Sequence, residues 1–118
     1  MEEAPTVGKI TIDPEALETI ARLTTLAVPG VLRLTPPERF QRMLKIEDGV
    51  YIKVYEDTVE IDLYLVAESG KNLLKLGRHI QAEVIRAVSN LVGMPVKAVN
   101  VHIEDVCCGP EKDETRSK

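Results

Sequence analysis

A chain of 118 residues, 44% hydrophobic and 29% charged, has the make-up of one globular domain, able to bury roughly two-thirds of the surface its unfolded chain exposes. Its formal net charge of -4 argues against a general binder of phosphate backbones, and two cysteines supply no disulfide scaffold. No stretch approaches the roughly 20 apolar residues that span a bilayer, and the acidic residues 1–7 are unlike a secretory signal or a transit peptide, so a cytoplasmic protein is expected.

Residues 1–7 are expected to be a flexible N-terminus and residues 8–106 a single domain. Residues 9–12 read as a short strand with Ile10 and Ile12 on its buried side. Asp13 and Pro14 announce a helix: the carboxylate can accept an orphan N–H, and proline at the first helical position has no N–H to lose. Leu17, Ile20, Ala21, Thr24 and Ala27 trace its buried stripe, and Pro29 and Gly30 stop it before a strand over residues 31–34. Between residues 35 and 49 the pattern fails. Pro36 and Pro37 open a loop containing Arg39, Phe40, Arg42, Met43 and Lys45.

Alternation returns at Val50. Val50, Ile52 and Val54 point one way and Tyr51, Lys53 and Tyr55 the other; beyond the turn Val59, Ile61, Leu63 and Leu65 are apolar, while Glu60, Asp62 and Tyr64 are polar. This even-to-odd switch fits a hairpin closed over Asp57 and Thr58. It would pair Val54 with Ile61, Ile52 with Leu63 and Val50 with Leu65 on the apolar face, and Lys53 with Asp62 and Tyr51 with Tyr64 on the other.

Asn72 is positioned to cap a helix over residues 73–92, which Gly93 and Pro95 end. Leu73, Leu76, Ile80, Val84, Ala87, Val88 and Leu91 share the side expected to cover the sheet, opposite Lys75, Arg78, His79, Glu83, Arg86 and Asn90. Leu74, Ile85 and Val92 widen that arc as if for a second helix alongside, and Gly77 within it reads as a point of close backbone approach. In the last strand Val99, Val101 and Ile103 face inward, with Asn100, His102 and Glu104 outward. Residues 107–118 are expected to form a disordered polar tail.

The resulting order, β-α-β-β-β-α-β, predicts an α+β single domain with both helices packed on one sheet face. The other face carries Tyr51, Lys53, Tyr55, Asp62, Tyr64 and His102, and is left to water or to a partner. No catalytic, metal or cofactor site is expected. Cys107 and Cys108 beside His102 lack the spaced ligands of a zinc site and read as reduced thiols at a frayed strand end. His79 and His102 read as solvated side chains without the pocket and positioned partner that acid–base work needs, and the glycines form no phosphate loop. Two surfaces remain. The tyrosine face suits a protein contact, because tyrosine brings large area and a hydroxyl at modest entropy cost. Alternatively Arg33, Arg39, Arg42 and Lys45 with Phe40 could hold RNA by charge and stacking, the simpler reading being a solvated loop with Phe40 and Met43 folded onto the domain.

The run Val59-Glu60-Ile61-Asp62-Leu63-Tyr64-Leu65-Val66, then Glu68 and Gly70 before Asn72, Ile80-Gln81, Ala87-Val88, Gly93, and Val99-Asn100-Val101-His102-Ile103 with Asp105-Val106 resembles the alkaline shock protein family, small bacterial proteins of the cell-envelope stress response. Gly8-Lys9-Ile10, Ile20-Ala21 and Pro29-Gly30-Val31 fit the same pattern. The resemblance implies a non-enzymatic cytoplasmic protein without a cofactor, able to self-associate and in some relatives held at the membrane by a separate anchored protein. The chain departs from the pattern at residues 35–49 and at Cys107 and Cys108.

Overall fold

The computed structural model describes residues 7–37 and 48–107. Helix α1 (Pro14–Leu26) is followed by strands β1 (Val31–Leu34), β2 (Val50–Val54) and β3 (Val59–Glu68). Helix α2 (Leu73–Ala87) comes next, continued by a π turn (Val88–Val92), and then strand β4 (Val96–Cys107). Strand β3 is the axis of the sheet. On one edge it pairs antiparallel with β2 through residues 59–63 and with β1 through residues 65–67, and on the other it pairs parallel with β4. β1 and β2 therefore lie end to end. Tyr64 joins them, its N–H donating to the Gly49 carbonyl at 2.8 Å and its carbonyl accepting from the Thr35 N–H at 2.9 Å. Gly49 has φ 85°, and a Cβ there would stand 2.7 Å from the Tyr64 carbonyl oxygen, so the junction requires glycine.

The α+β class holds, with both helices on one face. Val59, Ile61, Leu63 and Leu65 of β3 form the core with Leu76, Ile80, Val84 and Val88 from the second helix and Leu17 and Ala21 from α1. Local signals placed the helix ends: Asp13 accepts the Glu15 N–H at 2.9 Å, Asn72 accepts the Lys75 N–H at 3.0 Å, and Gly93 adopts the left-handed conformation with φ 84°. In α1 the buried positions are Leu17, Ala21 and Thr25, followed by Val28 just past the helix, so Thr25 and Val28 replace Thr24 and Ala27 in the expected stripe.

Other expectations are corrected. Residues 9–12 join no described strand, and Ile10 is 91% exposed, because the edge available to them carries β1 and β2. The hairpin register is displaced by two residues: Val50 pairs with Leu63, Tyr51 with Asp62, Ile52 with Ile61, Lys53 with Glu60 and Val54 with Val59. The turn closes over Glu56 and Asp57, where the Tyr55 N–H reaches the Thr58 carbonyl at 2.8 Å, and a two-residue shift keeps every side chain on its face. The π turn is wider than an α turn, with Gly93 N–H reaching back to Val88 at 3.2 Å, and it carries Leu91 off the sheet. Leu74 and Ile85 stay exposed, since α1 lies along the opposite flank of α2, where Thr24 and Ala27 approach His79, Glu83 and Ala87. A Cβ on Gly77 would meet nothing within 4 Å, so this glycine opens a hollow instead of admitting another backbone.

Candidate functional site

The sheet face opposite the helices brings together side chains from β2, β3 and β4. The parallel register sets Asp62 beside Asn100 and Tyr64 beside His102. From that register a connected polar array follows. Tyr55 donates its hydroxyl hydrogen to Glu60 Oε1 at 3.0 Å; Asn100 Nδ2 donates to Glu60 Oε2 at 3.0 Å and to Asp62 Oδ1 at 3.2 Å; and His102 Nε2 lies 3.0 Å from Asp62 Oδ1. The His102 and Tyr64 rings stack with centroids 4.3 Å apart and planes 9° from parallel. Cations flank the array, Lys97 Nζ 4.4 Å from the centre of the Tyr55 ring and Lys53 Nζ 6.0 Å from that of Tyr51.

These contacts set the charge states. Hydrogen bonds from Asn100 and then Tyr55 hold the Glu60 carboxyl below its ordinary range. The bond to Glu60 pushes the Tyr55 hydroxyl up, and burial, followed by the Asp62 carboxylate, raises that of Tyr64. These shifts favour an ionised Glu60 and neutral Tyr55 and Tyr64.

Tyr51, Lys53, Tyr55, Asp62, Tyr64 and His102 all lie on this face, but not as one exposed cluster. Tyr64 is only 9% exposed, its ring area spent on His102, while Tyr55 and Lys53 are exposed and Tyr51 half-buried. Glu60, Asn100 and Lys97 belong to the array as well. Alternation marks the first two as outward-facing; Lys97 reaches the face because a register shift at the start of β4 pairs Val96 with Val59 and Ala98 with Glu60.

Of the basic set, Arg33 is exposed on β1 and lines a depression with Thr35, Pro36, Val66, Glu104 and Asp105. Arg39, Phe40, Arg42 and Lys45 lie outside the described residues, as does Cys108. Cys107 is an exposed free thiol within β4, which thus runs into the stretch expected to be tail. His79 is half-exposed, 3.8 Å from Glu83 on the same helix.

A family model described as the alkaline shock protein 23 family, with cell envelope-related function, matches residues 2–108. The chain belongs to this family. A protein of Streptococcus pyogenes, the uncharacterized Spy1535, is 32% identical over 103 residues, covering 85% of this chain and 80% of its own. The uncharacterized YqhY of Bacillus subtilis is 27% identical, with 82% and 76% covered. Among solved structures, two of the MamM CTD are similar in fold, with TM-scores of 0.51 at 15% and 16% identity. They cover 79% and 78% of this chain and 99% and 96% of theirs. Among the described residues, no helix is long and apolar enough to cross a membrane.

Proposed function

We propose that this member of a cell envelope-related family is a non-catalytic interaction module of the envelope stress response. It binds itself or a membrane-anchored protein through the outer sheet face. The observation that carries this reading is the array linking Tyr55, just past β2, with Glu60, Asp62 and Tyr64 of β3 and Asn100 and His102 of β4, on a face that no described helix covers. Side chains already held in one geometry lose little freedom on binding, so a partner gains more of the contact energy. Tyr55 and Tyr51 supply aromatic area, Lys53 and Lys97 supply positive charge, and Glu60 and Asp62 supply negative charge that orients the docking.

The buried Tyr64 acts through His102, which it holds upright, and substituting it would report packing. The test is therefore the double variant Tyr51→Ser with Tyr55→Ser. It should fold normally yet lose recruitment to the envelope fraction of cells expressing it in place of the parent. A folded double variant recruited as well as the parent would make this face a solvated surface. The RNA reading through Arg33, Arg39, Phe40, Arg42 and Lys45 has only Arg33 among the described residues, lining a depression that Glu104 and Asp105 share.

A further inference from the structure

β4 pairs with β3 on one side, and no described strand pairs its other edge. Between the register shifts at Lys97 and Glu104, residues 98–103 run as regular strand along that edge. An exposed edge of this length is a template for another extended chain, because no described strand takes up its outward N–H and C=O groups; the Val99 carbonyl accepts from Gln81 Nε2 at 3.0 Å, which leaves residues 101–103 as the stretch open to pairing. Beside it, on the helix side of the sheet, Leu73, Leu74, Gly77, Gln81, Val101 and Ile103 line a groove of about 520 Å³. The missing side chain of Gly77 keeps the groove open. Residues 8–12 are a piece that fits it. Ile10 and Ile12 alternate with Lys9 and Thr11 in strand fashion, yet the segment lies outside every sheet, with Ile10 91% exposed.

We propose that residues 8–12 of one copy add as an antiparallel strand to the free β4 edge of a second copy, seating Ile10 and Ile12 in this groove. Side chains recur on one face of a strand at every second residue, so Ile10 opposite Ile103 places Ile12 opposite Val101. The same register sets Lys9 beside Glu104 and Asp105, whereas a parallel alignment would set it beside Asn100. The donor comes from another copy for a geometric reason. Asp13, next after Ile12, already caps α1, and α1 lies on the flank of α2 opposite the groove. One residue spans at most about 3.6 Å, and a helix with its side chains is about 10–12 Å across. Ile12 cannot pass around α2 to its own β4. This pairing uses neither Tyr51 nor Tyr55, so it stands or falls apart from the sheet-face reading.

The test uses the full chain and two variants. Ile10→Asp spoils the donor and keeps the groove, while Gly77→Leu fills the groove and keeps the donor. Both positions are open, so both variants should fold, and Leu74→Arg, at a 65% exposed position, is a second groove variant. In sedimentation over rising concentration the parent should associate, with amide exchange slowing together at residues 9–12 and 101–103. Each variant alone should associate at least tenfold more weakly, and an equimolar mixture of Ile10→Asp and Gly77→Leu should regain pairing, since it contains one sound donor and one sound groove. The proposal is overturned by a parent that stays monomeric, by undiminished association of either variant, by no recovery in the mixture, or by slow exchange at residues 9–12 in dilute monomer, which would mean pairing within one chain.

Discussion

Val84→Asp should leave little folded protein at 37 °C. Val84 is fully buried, within the cluster that α2 forms with Ile61 and Leu63. Removing its side chain from that cluster forfeits about 2 kcal/mol of burial. An aspartate there has no cation within the apolar cluster, so at pH 7 it must take up a proton about three pKa units above its ordinary value, a further cost of about 4 kcal/mol. The total of about 6 kcal/mol rivals the whole stability of an ordinary domain, about 5–15 kcal/mol. At about 4 °C per kcal/mol, a melting point would fall by more than about 20 °C. Val84→Ala should cost only about 2 kcal/mol, and Ile85→Asp, one residue along but 41% exposed, less than about 1 kcal/mol. Thermal and urea unfolding followed by circular dichroism measures all three. A Val84→Asp protein melting within about 5 °C of the parent would refute the assignment of this helix face to the core.

Three further outcomes are expected. Thr25 is fully buried, and its hydroxyl has no hydrogen-bond partner among the described residues, so Thr25→Val should raise stability by about 1 kcal/mol and the melting point by about 4 °C, read by calorimetry. Gly49→Ala places a Cβ against backbone at a positive φ and should cost about 2–3 kcal/mol in urea unfolding, whereas a neutral result would mean that the junction of β1 and β2 is elsewhere. The folded-state pKa of Glu60 is lowered, so its contribution to stability is present above the ordinary glutamate value and is lost as pH falls through the lowered one. Asn100→Ala removes the largest cause of that lowering; the variant should trail the parent at pH 7, and the gap should narrow as acid protonates Glu60 in both.

Much of this architecture follows from periodicity. Alternation sorted the residues of β2, β3 and β4 between the two faces, and the 3.6-residue stripe through Leu76, Ile80, Val84 and Val88 marked the buried side of α2. Parity alone could not decide between hairpin registers two residues apart, because both leave Ile52 and Ile61 inward; the backbone bond from Tyr55 to Thr58 decides it. Nor does alternation say how far an outward residue is covered. Tyr64 lies on the outer face as expected and is nevertheless buried, because the parallel pairing with β4, a contact distant in sequence, brings His102 onto its ring. Ile10 and Ile12 have the pattern of a strand, but a strand needs an edge to join, and which edge is free is a property of the whole sheet.

The outer sheet face as the contact surface is tested most directly by hydroxyl-radical footprinting of the three tyrosines, comparing dilute purified protein with protein in the envelope fraction. Tyr51 and Tyr55 should react readily in the dilute protein and at least several-fold more slowly in the envelope-bound state, while the stacked Tyr64 should react slowly in both. Equal reactivity of Tyr51 and Tyr55 in the two states would contradict the account.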